Sequence, residues 1–318
     1  MIPSIANVPC AGKRVLIRVD VNVPIDQSGS ITDDTRIRAC LPTIQHVIDE
    51  GGTAILMSHL GRPQGQIDGR YSLRPVAEYL QELLPNVHVV FATDCIGHDA
   101  DAIVSSAQPG SIVLLENLRF YAEEEANDHA FAAALAKHGD VYCNDAFGTA
   151  HRAHASTAAV AALVPTRCAG FLMLKELQYL GNALANPKRP LVAVLGGSKI
   201  SGKIDVISAL LTSCDTILVG GGMMFTFLLA RGFSVGSSIV EADRVDMAQA
   251  LLEQAERGSV AIQLPTDTVV ADRFAGDAEQ KIVNVNDIPS AMMGLDIGPE
   301  TSAHFASVIA GAGTVLWN

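Results

Sequence analysis

The stretch "NDAFGTAHRAHAST", Asn144–Thr157, crowds His151, Arg152 and His154 into four positions behind the acid Asp145. Imidazole and guanidinium groups so placed can bind a metal, move a proton or hold an anion. Similar groups recur wherever a β-branched run gives way to a turn. "RVDVNVP" ends with Asp20 and Asn22, "DDTRIRAC" carries Arg36 and Arg38, "SHLGRP" carries His59 and Arg62, and "ENLRF" carries Arg119. The planar arginine fork pairs bidentately with carboxylate or phosphate, so several converging forks would hold a small polyanion. A single loop arginine is more often a solvated charge, but recurrence at equivalent places favours the anion. Zinc is a poor fit: a site needs three or four ligands, and no cysteine stands in register with His151, His154 and Asp145. No G-x-S-x-G elbow supports a serine hydrolase.

The second half carries a different kind of signal. "LGGSK" (Leu195–Lys199) and "VGGGM" (Val219–Met223) are glycine turns after apolar runs. Glycine lets backbone N–H groups or a flat ring approach closely, and a following helix offers its positive end to phosphate. Lys199 and Lys203 stand four apart at the start of the next helical pattern, expected on one face. The pattern is neither G-x-x-x-x-G-K-[ST] nor G-x-G-x-x-G. On residues alone, a nucleotide-phosphate site and a close-packed turn with solvent-facing lysines both remain open.

These residues need elements to position them. "RVLIRVD" (14–20), "TAILMS" (53–58), "SIVLLE" (111–116) and "DVYCND" (140–145) read as strands. "SLRPVAEYLQELL" (72–84) reads as a helix that Ser72 can cap, with Pro75 tolerable in its first turn. Strands alternating with helices imply parallel βαβ units, and continuous apolar runs imply strands buried on both faces. A second such series starts near Pro190. It includes "SGKIDVISALL", with Ile204, Ile207 and Leu211 on one stripe, and an amphipathic helix over Asp243–Gly258. "AGFLMLKELQYLGNALANPKRP" between the series reads as a connecting helix. The expected fold is α/β: two open parallel-sheet, Rossmann-like domains joined by a helix, with a cleft between them. The expected boundaries are 1–166 for the anion domain, 167–186 for the helix and 187–318 for the nucleotide domain.

The chain has 318 residues, 22 Lys+Arg against 34 Asp+Glu, and a net charge of -12. That balance argues against nonspecific nucleic-acid binding, which needs a basic face. It leaves room for a small anion trapped by local positive groups. Cys10, Cys40, Cys95, Cys143, Cys168 and Cys214 form no C-x-x-C pair and suit scattered, reduced thiols of a cytoplasmic protein. No signal peptide is visible, and "TILVGGGMMFTFLLA" (Thr216–Ala230) is too short and glycine-broken to span a bilayer. An anion domain and a nucleotide domain suit phosphoryl transfer between two anions, brought in line and shielded from water by closure about the connecting helix.

The motifs, in order, resemble the phosphoglycerate kinase family along the whole chain. They include "VLIRVDVNVPI", "SHLGRP", "ENLRFYAEEEAND", "NDAFGTAHRAHAST", "KRPLVAVLGGSKISGKIDVI", "LVGGGMMFTFL", "GLDIGPET" and "VLWN". The resemblance implies reversible phosphoryl transfer from 1,3-bisphosphoglycerate to Mg-ADP, giving 3-phosphoglycerate and ATP in glycolysis. It implies that Asp20, Asn22, Arg36, His59, Arg62, Arg119 and Arg152 bind 3-phosphoglycerate. Arg36 and Lys199 match the groups that neutralise the phosphoryl group in flight. Gly196, Gly197, Lys199, Lys203, Gly221, Gly222, Gly294, Leu295 and Asn318 match nucleotide contacts; His154 matches no ligand role. Mg2+ is the implied cofactor, and the family's metal-holding aspartate falls beyond Asn318, so no metal ligand is expected within this sequence. A monomer is implied, with no nucleic-acid or membrane partner. The alternative expectation is a truncated, non-catalytic chain that only binds 3-phosphoglycerate.

Overall fold

A computed structural model describes residues 2–26 and 28–318, and the chain divides into two compact units between Tyr179 and Leu180. The division falls inside the helix Phe171–Ala185.

The first unit is built on six strands: β1 (Arg14–Arg18), β2 (Thr53–Met57), β3 (Val89–Phe91), β4 (Ile112–Leu114), β5 (Val141–Asn144) and β6 (Thr166–Ala169). All pair in parallel, in the order β3-β4-β2-β1-β5-β6. Alternate residues feed two separate cores. Val15, Ile17, Ala54, Leu56 and Leu114 point to one face, and Leu16, Ile55, Met57, Val113 and Tyr142 to the other. Burial on both faces is why these strands read as unbroken apolar runs. The chain leaves central β1 for β2 on one side and later fills β5 on the other. Strand order therefore reverses at β1, and the carboxyl ends of β2, β1 and β5 flank the crevice where open α/β sheets bind ligands.

The helix expected over Ser72–Leu84 runs Arg74–Leu83 with Leu73 at its N-cap. Ser72 sits one position earlier than a cap. Its Oγ accepts the Arg74 N–H at 3.2 Å and donates to Glu116 Oε2 at 2.7 Å.

The second unit contains β7 (Leu191–Leu195), β8 (Thr216–Val219), β9 (Ala261–Gln263), β10 (Asp267–Ala271), β11 (Gln280–Asn284), β12 (Met293–Ile297) and β13 (Thr314–Trp317). Four of them form the expected parallel sheet, in the order β13-β7-β8-β9. The other three form an antiparallel sheet, β11-β10-β12, that a purely parallel reading omits. The cause is a short connection: the Asp272 N–H donates to Glu279 O at 3.1 Å, closing a tight return from β10 to β11 that only antiparallel strands accommodate. The apolar stretch Thr216–Ala230 is β8, a glycine turn and the helix Met223–Ala230, with Phe225 and Phe227 wholly buried. Among the described residues no helix is long and apolar enough to cross a membrane.

Candidate functional sites at two sheet edges

In the first unit, the backbone just past β1 carries Asp20 and Asn22. Asp20 Oδ2 accepts from Arg36 Nη1 at 2.8 Å, so the second residue of the helix Thr35–Asp49 is tied to the end of β1. Asn22 Oδ1 accepts the Gly61 N–H at 2.9 Å, and Arg119 Nη1 donates to Gly61 O at 2.8 Å. The peptide of Gly61 thus pins the loops after β1, β2 and β4 together, with Arg62 as the next residue. Gly61 has φ +61°, and a Cβ there would lie 2.3 Å from the Tyr71 ring, so the turn requires glycine. Behind it, buried Asn117 accepts from the Leu60 and Arg119 N–H groups and donates to Leu60 O and Tyr71 O. Every hydrogen-bonding position of that amide is used, which holds the loops rigidly.

The charges converge. His59 is 6% exposed. Burial lowers its pKa most, and the positive charges of Arg18, Arg119, Arg152 and Arg36 lower it further, to about 2. Arg119 is itself displaced downward, by burial first and then by Arg152 and Arg62, although Glu125 lies 3.5 Å away and opposes the shift. A positive charge lowers a neighbour's proton affinity only at short range, so Arg152 lies near both His59 and Arg119. Arg62 and Arg152 are exposed, and among the described residues neither has a carboxylate within ion-pair distance. Arg152 Nε donates to His151 Nε2 at 3.4 Å. This edge therefore carries unneutralised positive charge.

Three neighbours of the motif lie elsewhere. Arg38 pairs with Asp34, 2.5 Å away, and is not brought to this edge. Asp145 is fully buried; its Oδ1 accepts the Met173 N–H at 3.1 Å, its Oδ2 has no partner, and burial raises its pKa to about 6. It caps the start of the helix Phe171–Ala185. His154 faces buried Glu124 at 3.9 Å. Among the described residues no group of three His, Cys, Asp or Glu side chains could hold a metal ion.

In the second unit, β7, β8 and β13 end side by side at Gly196, Gly220 and Asn318. The two glycine turns pack on each other. The Met223 N–H donates to Gly197 O at 2.8 Å, and a Cβ on Gly221 (φ +64°) would lie 2.7 Å from Gly197 N. Gly222 faces Ser198. The Gly221 N–H also donates to Asp296 Oδ1 at 3.0 Å, which ties the turn to β12. A cavity of about 370 Å3 opens here, lined by Gly196, Gly221, Asp296, Phe305, Trp317 and Asn318 among others. Its size falls within the usual range for small-molecule sites.

Lys199 and Lys203 do not share a helix face. The helix runs only Ile204–Leu210, with Lys203 at its N-cap and Lys199 exposed in the loop before the turn 201–203. Ser201 explains the late start: its N–H and hydroxyl both donate to Glu241, at 3.0 and 2.6 Å, and hold the segment in a turn. Lys203 Nζ contacts Asn318 Oδ1, bringing those two expected residues together. Gly294 lies against the Phe225 ring. Leu295 has no partner in the β10–β12 register, where Val269 pairs with Asp296 and Val270 with Gly294. It is the extra residue of a bulge, a feature that re-aims side chains.

Residue-type reasoning overlooks Arg18, Asn117, Glu124, Ser156 and Asp296, all of which hold these edges in shape. The one available signal is Arg18, a lone charge inside the apolar run "VLIRV".

The profile of the phosphoglycerate kinase family matches residues 5–318. The chain is 53% identical to a phosphoglycerate kinase of Chlorobium chlorochromatii over 99% of its own length and 79% of that protein's. It is 53% identical to the cytosolic phosphoglycerate kinase 3 of Arabidopsis thaliana over 96% of its length and 76% of that protein's. It superposes on the phosphoglycerate kinase of Coxiella burnetii with a TM-score of 0.75 at 41% identity, covering all of this chain and 80% of that one. With the two parallel-sheet edges described above, these matches show that the chain belongs to the phosphoglycerate kinase family.

Proposed function

We propose that the protein transfers a phosphoryl group reversibly from 1,3-bisphosphoglycerate to ADP, yielding 3-phosphoglycerate and ATP, as a carboxyl-directed phosphotransferase of glycolysis. The observation that carries this reading is the geometry of the first edge: Asp20, Asn22 and Arg119 tie the loops after β1, β2 and β4 together through Arg36 and Gly61, and exposed Arg62 and Arg152 there have no carboxylate partner among the described residues. A cluster of like charges is unfavourable in the free protein, and a polyanion relieves it. Arg36, Arg62, Arg119 and Arg152 supply forks for the phosphate and carboxylate of 3-phosphoglycerate, and Asp20, Asn22 and His59 complete the pocket. The nucleotide belongs at the glycine edge of the second unit. Gly196, Gly197, Gly221 and Gly222 leave backbone room there, Gly294 and Leu295 flank it on β12, and Lys203 and Asn318 meet its phosphates.

In the ATP-forming direction, an ADP β-phosphate oxygen attacks the acyl phosphorus as the bond to the carboxylate oxygen breaks, so 3-phosphoglycerate leaves with that electron pair. The protein's task is positioning and charge neutralisation rather than covalent help, and Arg36 and Lys199 are the groups assigned to it. When bound with the nucleotide, Mg2+ would supply further charge neutralisation on the transferring phosphates. The described residues assemble no cage for it, and Asp296, the carboxylate lining the cavity, already accepts the Gly221 and Ile297 N–H groups. A cytoplasmic monomer belongs to the same proposal. ATP formation from 1,3-bisphosphoglycerate and ADP, followed in a coupled assay, tests it. Turnover that falls with Arg36→Ala supports it, and calorimetric binding of 3-phosphoglycerate without any ATP formation contradicts it.

A further inference from the structure

Directly behind the anion edge lies a buried polar cluster to which the reaction above gives no part. Arg18, the last residue of β1, is 1% exposed, as is Glu124. Ser156 joins them: its Oγ accepts from Arg18 Nε at 2.9 Å and donates to Glu124 Oε1 at 2.5 Å, while its N–H donates to Glu124 Oε2 at 2.9 Å. Arg18 Nη1 donates to Val19 O. The remaining arm, Nη2, stands 3.2 Å from His59 Nδ1. Each end of this chain is oriented by a buried partner, so Arg18 has little freedom to turn away from the imidazole.

The chemistry of the two groups decides the rest. A guanidinium has five N–H donors and no acceptor, and it does not deprotonate in proteins. His59 Nδ1 must therefore accept, with its lone pair facing Arg18. An imidazole carrying one proton then carries it on Nε2. A phosphate or carboxylate oxygen is an acceptor, so an Nε2–H ring meets it with a hydrogen bond, whereas the other tautomer meets it lone pair to lone pair.

We propose that Arg18, anchored by Ser156 and Glu124, is a positioning residue that fixes His59 as the Nε2–H tautomer and so makes it a hydrogen-bond donor to the anionic substrate. The tautomer follows from the geometry alone. The substrate clause rests on the reading of this edge as the 3-phosphoglycerate site.

The test is a long-range 15N–1H correlation spectrum of 15N-histidine-labelled, ligand-free protein, with the His59 signals assigned by their loss in His59→Gln. The expected wild-type pattern is a protonated nitrogen at Nε2 and an unprotonated one at Nδ1, unchanged across about pH 5–8, where a free imidazole titrates. Arg18→Met should release Nδ1, giving a mixture of tautomers and a ring that titrates, with 3-phosphoglycerate affinity down about tenfold. Arg18→Lys, which keeps a cationic donor, should retain the Nε2–H pattern. If Arg18→Met does not fold, Ser156→Ala, which removes only the anchor, should move the tautomer ratio in the same direction. A wild-type ring protonated at Nδ1, or a tautomer unmoved in the folded variants, overturns the proposal. Wild-type protein that shows the expected tautomer yet binds no 3-phosphoglycerate overturns the site reading and leaves the tautomer assignment standing.

Discussion

The two candidate edges occupy the same place in two parallel sheets and are made of different materials. The first is a set of side chains: arginines, a histidine and an Asp–Asn pair, held by buried polar groups such as Asn117 and Glu124. The second is mostly backbone: two glycine turns pressed together, beside an open cavity with apolar walls at Phe305 and Trp317. The difference follows from what each is proposed to hold. A small polyanion offers little surface, so charge must do the recognising, and that charge must be kept rigid and partly dry. A nucleotide offers a flat base and a phosphate tail, so cleared space and backbone N–H groups do most of it. The first arrangement buries ionisable groups and should respond to pH; the second should not.

The largest expected effect tests whether the glycine edge is more than a container. Lys199→Ala should lower turnover by about 10²–10³-fold, the scale of one preorganised electrostatic contact. Affinity for 3-phosphoglycerate should hold, and steady-state kinetics paired with calorimetry read both. A loss confined to KM would remove Lys199 from charge neutralisation.

Asp145, off the edge at the start of the helix Phe171–Ala185, adds a pH response of its own. Its carboxyl is raised from its ordinary 3.8 to about 6 in the folded protein, because burial disfavours the charge. The folded state then binds more protons than the unfolded one across that window. Its contribution is most favourable below about pH 4 and is lost as pH rises through about 6, a change of about 3 kcal/mol. Asp145→Asn should flatten that part of the profile in urea unfolding across a pH series. An unaltered slope would mean that the charge is not desolvated as described.

Arg152→Ala should weaken 3-phosphoglycerate binding by about 1.5–3 kcal/mol, the range for a charge-assisted hydrogen bond. Calorimetry on folded variant protein measures it, and unchanged affinity would take Arg152 out of the site. Gly221→Ala forces a side chain into a left-handed backbone and toward Gly197 N, 2.7 Å from the new Cβ. It should destabilise the second unit by about 1–3 kcal/mol and weaken ADP binding, with the anion edge untouched. A variant as stable as the parent, by denaturant unfolding, would show that the turns do not need each other.

Much of this architecture was legible because continuous apolar runs admit few readings. "VLIRV" and "TAILM" form the centre of the first sheet, and their strand-end residues reach its candidate ligand edge. What escaped has physical causes. β3 is three half-buried residues at a sheet edge, too short to show a period. β11 is largely exposed and carries little apolar signal. The lysine pair misled because spacing assumes a helix, whereas the contact of Ser201 with Glu241, forty residues away, keeps that segment a turn. Arg18 looked like part of a strand, and only the fold brings Ser156 and His59 to it. Non-local partners leave no local trace.

On the proposed assignment the two edges take different ligands independently. Calorimetric titration of Lys203→Ala with 3-phosphoglycerate and with ADP tests it most directly, because Lys203 sits at the mouth of the glycine edge beside Asn318. The predicted result is a 3-phosphoglycerate affinity equal to the parent's and an ADP affinity lower by about 1.5–3 kcal/mol, one charge-assisted contact. Equal losses for both ligands, or loss of 3-phosphoglycerate alone, would contradict it.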